Sequence, residues 1–215
     1  MKIAIAQLNF HIANFPYNYN LMVQSIEKAK GQGADLIVFS ELSVCGYPPL
    51  DLLERREFVD ECLETVEKLK TLSHSIGIVV GGPSINPNSK GKKLFNSAFF
   101  LSKGELLGQV NKTLLPTYDI FDEYRYFEPN DTFTTVHFMG KNIALTICED
   151  LWDDQPVENS FAQTKLYVTS PMEELIAFGA DLMINISASP FAANKMNARR
   201  EVMQENARKY GIPLF

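Results

Sequence analysis

Hydrophobic and polar residues alternate in a short run near the middle of the chain, from Asn142 to Asp150. Its apolar positions are Ile143, Leu145 and Ile147. Alternation with a period of two predicts a strand. The thiol of Cys148 stands at the last residue of this strand, where α/β folds hold reacting groups rigidly beside a loop.

The same patterns, followed along the chain, predict alternating strands and helices. Further strands are predicted at 2–8, 34–41, 76–82, 96–101, 105–112, 132–138 and 181–186. Helices are predicted at 18–30, 53–73, 171–179 and from 195 to about 210. Ser170, followed by a proline, is expected to cap the third helix. The final residues, 211–215, are apolar and predict the start of another strand, so we expect a polypeptide that continues into C-terminal strands missing here.

Two similar helix-to-strand junctions indicate how these elements are arranged. The sequence GADLIV at 33–38 and the sequence GADLMI at 179–184 each follow a predicted helix and open a strand. This repetition favours two sheets, each with helices on its outer face. A chain of 215 residues is long enough to bury a core without disulfides or metal, so we expect residues 1–215 to form one domain of the α/β class.

Composition and charge exclude several classes of function. The net charge of −6 and the lack of a Lys/Arg cluster argue against nucleic-acid binding. No apolar run approaches the roughly 18 residues that span a bilayer, so we expect no membrane segment. The three cysteines show no CxxC spacing, which favours a reducing, cytoplasmic compartment and gives no sign of a metal site.

Three reactive side chains stand at the ends of three predicted strands: Glu41, Lys112 and Cys148. A thiol is mostly protonated near neutral pH and needs a base or a positive neighbour to attack a carbonyl carbon. Glu41 could take that proton, Lys112 could stabilise the oxyanion, and the backbone N–H of Glu149 could add a second donor. Taken singly, each residue also fits an ordinary structural role, so spacing alone leaves the choice open.

Short sequence motifs around these residues resemble those of a known family. Ser40–Leu42, Lys112 ahead of Leu115–Pro116, and Cys148–Asp150 are similar to the Glu-Lys-Cys motifs of the nitrilase, or carbon–nitrogen hydrolase, superfamily. Within this superfamily, the motifs at 46–53, 121–127, 148–152 and 189–191 resemble the glutaminase domains of glutamine-dependent NAD synthetases. The resemblance implies a four-layer α-β-β-α sandwich.

The resemblance also implies roles for individual residues. The catalytic set would be Glu41 as general base, Lys112 as catalytic lysine, Cys148 as the nucleophile that forms a thioester, and Glu123 as the carboxylate that orients the lysine. Residues implied to bind the substrate glutamine are Tyr118, Glu149, Ser189 and Lys195. The chain departs from the family where Thr117 replaces Asn and where Asp119 and Asn194 replace Gly, and Asp119 leaves the shape of the pocket wall open.

The implied reaction releases ammonia from glutamine without a cofactor. A synthetase domain, which would use ATP and Mg²⁺ to amidate deamido-NAD, has no counterpart in this sequence. We therefore expect such a domain as a partner, and the chain itself in a homo-oligomer. Two other functions remain open: a free-standing amidase acting on another small amide, and a catalytically silent binding module. Cys45 is a rival thiol near Glu41, but it lies in a predicted loop and matches no nucleophile position.

Overall fold

The computed structural model describes residues 1–154, 167–190 and 195–215, and this part of the chain contains two β-sheets. The five-stranded sheet has the order β1 (Ile3–Ile5), β2 (Leu36–Val38), β3 (Gly77–Ile85), β4 (Leu94–Ser102) and β5 (Glu105–Asn111). The three-stranded sheet has the order β6 (Val136–Phe138), β7 (Lys141–Ile147) and β8 (Leu182–Ile186). The helices are α1 (Phe15–Gly31), α2 (Arg56–Lys70), α3 (Pro171–Ala177) and α4 (Lys195–Tyr210).

Three apolar clusters show how these elements are layered. One cluster joins α1 and α2 to the outer face of the five-stranded sheet. A second lies between the two sheets. The third joins α3 and α4 to the outer face of the three-stranded sheet. The predicted four-layer α-β-β-α sandwich is therefore confirmed.

The strands at the centre of this sandwich carry apolar residues on both faces because both faces are buried. In β2, Leu36 and Val38 enter the cluster between the sheets, whereas Ile37 enters the helix-side cluster. In β4, Phe99 faces the helices and Phe100 faces the other sheet. Parallel strands covered on both faces are typically near-continuous hydrophobic runs.

The repeated helix-to-strand junction has the same backbone form in both sheets. Gly33 follows α1 with φ +70°, and Gly179 follows α3 with φ +71°. Glycine is favoured in this left-handed conformation just after a helix. Each glycine leads into a parallel strand, β2 beside β1 in one sheet and β8 beside β7 in the other. The predicted pair of similar units is confirmed.

Some predicted boundaries were wrong. The strand β3 continues through Pro83 to Ile85, beyond its predicted end at residue 82. Because β2 pairs with β3 only as far as Val79, Pro83 has a partner strand on one side only, where a residue without an N–H is tolerated. Ser170 precedes α3, but its buried hydroxyl makes no capping hydrogen bond.

Other differences concern the ends of elements. Residues 50–54 form a 3-10 turn, so α2 begins at Arg56 and not at residue 53. Residues 213–215 run beside β8, with Phe215 N donating to Met183 O at 3.0 Å, as expected for the start of another strand. Within the described ranges, no helix is long and apolar enough to cross a membrane.

The layer between the sheets gives a stability prediction. Phe100 is fully buried there, so Phe100→Ala should lower the free energy of unfolding by about 3–5 kcal/mol, through lost burial and the cavity left behind. Leu106→Ala is the control, because Leu106 is 48% exposed and should cost less than about 1 kcal/mol. Urea unfolding measures both variants, and equal losses would contradict this assignment of the core.

Candidate active site

The backbone around Glu41 is shaped by a close approach to β3. A side chain at Gly81 would place its Cβ 2.5 Å from Leu42 N and 2.8 Å from Glu41 Cα. Glycine is therefore required at this position. Leu42, which follows Glu41, has φ +48°. Two residues further on, Val44 N donates to Gly81 O at 3.1 Å. The carboxylate of Glu41 is buried as a result, three residues beyond the end of β2.

Lys112 lies directly after β5 and is completely buried. Its backbone N donates to Asn96 O at 2.8 Å, which continues the pairing with β4. Its Nζ lies 2.7 Å from Glu41 Oε1, 2.7 Å from Glu123 Oε2 and 2.9 Å from Glu123 Oε1. One ammonium group is thus held between two carboxylates, away from water.

Burial and charge act in opposite directions on these groups. Burial alone would lower the pKa of Lys112, but the Glu41 and Glu123 carboxylates offset it and hold that pKa well above its usual value. Burial raises the pKa of Glu123 to about 6, against the attraction of Lys112 and with the repulsion of Glu41. Lys112 is therefore charged at neutral pH, and two carboxylates share its single positive charge.

The structure distinguishes between two adjacent carboxylates in the loop that follows Lys112. Glu123 is buried and contacts the lysine, whereas Asp122 is exposed. Glu123 begins a short 3-10 turn, and Tyr47 Oη donates to its Oε1 at 3.1 Å. Tyr47 comes from the proline-rich loop after Glu41, so that loop helps to hold Glu123 in place.

The alternation pattern predicted Cys148 as the last residue of its strand. In the structure β7 ends at Ile147, and Cys148 is the first residue of the 3-10 turn that follows. Its φ is +45°, a left-handed conformation that residues with a Cβ rarely adopt and that is concentrated at functional sites. Ser187 Oγ donates to Cys148 Sγ at 3.2 Å, and Ser189 Oγ lies 3.5 Å from the same sulfur. Burial and the Glu41 charge raise the pKa of the Cys148 thiol to about 12, while Lys112 and the two serines oppose this rise.

The segment 187–189 links the thiol to the carboxylate. Ala188 N donates to Glu41 Oε2 at 3.1 Å, between the two serines that contact the sulfur. A cavity of about 380 Å³ opens here, lined by this segment, Glu41, Tyr47 and Ile120. The structure therefore brings Glu41, Lys112, Glu123 and Cys148 to one buried site beside a cavity that a small molecule can enter.

The residues implied to bind substrate differ in how much of their surroundings the structure describes. Glu149 is buried, and its Oε1 accepts hydrogen bonds from Tyr118 Oη at 2.8 Å and from Tyr167 Oη at 2.9 Å. Ser189 contacts the Cys148 sulfur, as given above. Lys195 is the first residue of α4, but its side chain lies outside the described part of the structure.

Two departures from the family pattern concern positions where glycine is expected. Asp119 has φ +57°, so it takes the left-handed conformation that glycine adopts easily. Asn194 lies outside the described residues. The rival thiol, Cys45, is completely buried in the helix-side cluster, where its Sγ donates to Leu42 O at 3.5 Å. Cys45 is therefore enclosed by core side chains.

Sequence reasoning missed several residues that support the site. Asn96 Nδ2 donates to Glu41 Oε1 at 2.8 Å. Asp150 is buried and bridges two segments: its Oδ1 accepts from Thr113 N at 3.0 Å and Leu114 N at 2.9 Å, and its Oδ2 accepts from Ile147 N at 3.0 Å. A polar residue within an apolar strand was the available signal for Asn96. For Asp150 the signal was a second acid directly after the thiol.

Within the described ranges, no group of three or more His, Cys, Asp or Glu side chains is arranged to hold a metal ion. The site is built instead from a thiol, an ammonium group and two carboxylates. The family model for carbon-nitrogen hydrolases matches residues 2–207. The chain belongs to the carbon–nitrogen hydrolase family.

Relatives in this family are more specific in name. The chain is 38% identical over 221 residues to a glutamine-dependent NAD(+) synthetase of Synechocystis sp., covering 99% of this chain and 38% of that protein. It is 31% identical over 214 residues to the Thermotoga maritima protein of the same name, covering 100% of this chain and 34% of that protein. The chain thus spans just over a third of the length of these curated relatives.

Solved structures agree on the fold. The glutamine-dependent NAD+ synthetase of Acinetobacter baumannii, solved with ADP, superposes with a TM-score of 0.84 at 29% identity, covering 99% of this chain and 37% of that one. An amidase from Nesterenkonia sp. superposes with a TM-score of 0.79 at 21% identity, covering 100% of this chain and 74% of that one. The latter likeness concerns the fold alone. The resemblance of the sequence motifs to this family is confirmed.

The bridging contacts of Asp150 give a prediction for this site. Asp150→Ala leaves three buried backbone N–H groups without their acceptor, so the free energy of unfolding should fall by about 3 kcal/mol or more. Asp122→Ala is the control. Asp122 is exposed beside Glu123, so its loss should change the free energy of unfolding by less than about 0.5 kcal/mol. Chemical unfolding measures both variants, and an unaffected Asp150→Ala protein would refute the structural role of the bridge.

Proposed function

We propose that the chain hydrolyses the side-chain amide of glutamine to glutamate and ammonia through a thioester at Cys148. The observation that carries this proposal is the buried set of Glu41, Lys112 and Glu123 beside the Cys148 thiol. A thiol whose pKa is about 12 is protonated at neutral pH and needs a base to become a nucleophile. In this proposal Glu41 is that base, and what supports it is the hydrogen bond from Ala188 N, between the two serines that contact the sulfur.

The first half-reaction forms the thioester. Glu41 Oε2 takes the proton of the Cys148 thiol while Sγ attacks the amide carbon, so the C–S bond forms and the carbonyl π electrons move to oxygen. The buried Lys112 ammonium stabilises the resulting oxyanion. Glu41 then gives its proton to the amide nitrogen, the C–N bond breaks, and ammonia leaves.

The second half-reaction releases glutamate. Glu41 takes a proton from a water molecule as the water oxygen attacks the thioester carbon. The tetrahedral intermediate collapses, the C–S bond breaks, and the Glu41 proton returns to the departing sulfur. Glu123 keeps Lys112 charged and in position throughout, because both of its oxygens bind the ammonium group.

The identity of the substrate rests on the named relatives and on the polar groups around the cavity. Tyr118, Glu149, Ser189 and Lys195 are the residues we assign to glutamine. A lysine is suited to the substrate's α-carboxylate. A panel of amides separates this proposal from a free-standing amidase: preferential ammonia release from glutamine supports it, whereas preference for a short aliphatic amide supports the alternative.

The relatives' names extend the proposal to a partner. We propose that the ammonia serves a synthetase domain that uses ATP and Mg²⁺ to convert deamido-NAD to NAD, in a cytoplasmic homo-oligomer. The glutaminase step itself needs no cofactor in this scheme. What supports this reading is that the chain matches just over a third of relatives named for the complete reaction.

The thiol assignment is tested by substitution. Cys148→Ala should abolish ammonia release, because no sulfur remains to form the thioester, while far-UV circular dichroism stays unchanged. Cys45→Ala should retain activity, because Cys45 is enclosed in the helix-side cluster. Mass spectrometry after treatment with a glutamine-like electrophile should locate the adduct at Cys148, and an adduct mainly at Cys45 would show that the wrong thiol was chosen.

Coupling to a synthetase domain is tested separately. Uncoupled hydrolysis would waste glutamine, so this chain alone should release ammonia slowly, and a synthetase domain loaded with ATP and deamido-NAD should accelerate it. The loops at 43–53 and 116–130 are expected to carry this effect, because they flank the site and hold Tyr47 and Glu123. A full rate from the isolated chain, unchanged by the partner, would favour the free-standing amidase.

A further inference from the structure

One uncharged residue contacts both carboxylates of the site with its side chain and the backbone of Lys112 with its own backbone. Asn96 lies in β4 with its side chain almost completely buried. Its Nδ2 donates to Glu41 Oε1 at 2.8 Å and to Glu123 Oε2 at a longer 3.5 Å. Its backbone oxygen accepts from Lys112 N at 2.8 Å. The strand pairing of β4 therefore places this amide beside the lysine and both carboxylates.

These contacts make the two oxygens of Glu41 different from each other. Oε1 accepts two hydrogen bonds, from Lys112 Nζ at 2.7 Å and from Asn96 Nδ2 at 2.8 Å. Among the described residues, Oε2 accepts one, from Ala188 N at 3.1 Å, in the segment whose serines contact the Cys148 sulfur. Oε2 is thus the oxygen that faces this segment, and it accepts fewer hydrogen bonds from described residues than Oε1 does.

We propose that Asn96 is a positioning residue that occupies Glu41 Oε1 and so reserves Oε2 as the oxygen that accepts the Cys148 proton. The proposal rests on the proposed role of Glu41 as general base. Asn96 touches neither the substrate nor the sulfur in this account. It acts through the carboxylate that it orients.

The chemistry of the amide supports this role. An amide NH₂ group has two donors, which match two neighbouring carboxylates, whereas its oxygen would be repelled by both of them. The buried Oδ1 of Asn96 has no hydrogen-bond partner within the described structure. A buried acceptor without a partner is destabilising. The presence of one at Asn96 Oδ1 therefore supports a role for the NH₂ end of the same side chain.

The test compares Asn96→Ala with Ser97→Ala. Ser97 is the next residue in β4 and equally buried, but its Oγ bonds to Ser84 Oγ and Asn111 Oδ1 and not to Glu41. Two rates are measured from about pH 5 to 9: glutamine hydrolysis, and alkylation of Cys148 by iodoacetamide, followed by mass spectrometry. Within the described part of the chain, the charged and titratable groups that face Glu41 are Lys112, Glu123, Cys148 and Tyr47, and both variants keep all four.

For Asn96→Ala we expect kcat to fall about 10- to 100-fold, a part of the roughly 10²–10⁴ that a general base contributes, with KM changed less than about 3-fold. Alkylation of Cys148 near neutral pH should slow in parallel. Ser97→Ala should leave both rates unchanged.

An unchanged kcat and alkylation rate in Asn96→Ala, or the same losses in Ser97→Ala, would overturn the proposal. If Asn96→Ala does not fold, Asn96→Asp keeps the side-chain shape and replaces the donor by a third carboxylate, so it should slow both reactions at least as much. Failure of both variants to fold would show a structural role instead. If the wild-type chain does not hydrolyse glutamine, the proposed function fails, while the alkylation rates still decide the role of Asn96.

Discussion

The structure of the site depends on one buried positive charge. Moving an ammonium group out of water costs several kcal/mol even after relaxation, so Lys112 can stay charged without solvent only if carboxylates surround it. Glu41 and Glu123 meet this demand from different parts of the chain, one after β2 and one from the loop beyond β5. Removing either would leave a charge poorly paired, a change that typically costs about 3–5 kcal/mol.

This constraint explains why the surrounding elements are rigid. The Glu41 backbone crosses β3 where Gly81 leaves room for it, and Asn96 lies opposite, in the strand between β3 and β5. Asp150 ties the residues after Lys112 to the end of β7, across the two sheets. The result is a thiol and a carboxylate held by separate sheets whose packing sets the distance between them.

Sequence reasoning recovered what depends on local pattern. The alternation in β7 and the apolar run of β2 follow from faces that are buried, so strands, helices and the four layers were predictable. The ends of predicted strands suggested Glu41, Lys112 and Cys148, and the resemblance to the family selected them as a catalytic set. The choice of Glu123 over Asp122 came from resemblance, and the contacts of these two acids with Lys112 and solvent agree with it.

Contacts fixed by strand register were not recoverable in this way. Asn96 and Ser187 look like ordinary polar residues until the pairing of β4 and the end of β8 place them beside Glu41 and Cys148. Tyr47 contacts Glu123 across 76 positions of sequence. The continuation of β3 through Pro83 likewise depended on where its neighbouring strand ends, which no local pattern shows.

The distribution of the site over two sheets also determines when activity can arise during synthesis. Residues up to Glu123 contain Glu41, Lys112 and Asn96, so the buried charge cluster can assemble when the first sheet forms. The hydrogen bond from Ala188 to Glu41 joins positions 147 residues apart, and it needs β8 to be in place. Contacts over such separations form late in folding. A ribosome-bound or half-folded chain therefore has the charge cluster but not the segment that links Glu41 to the Cys148 sulfur, and the proposed hydrolysis requires the complete sandwich.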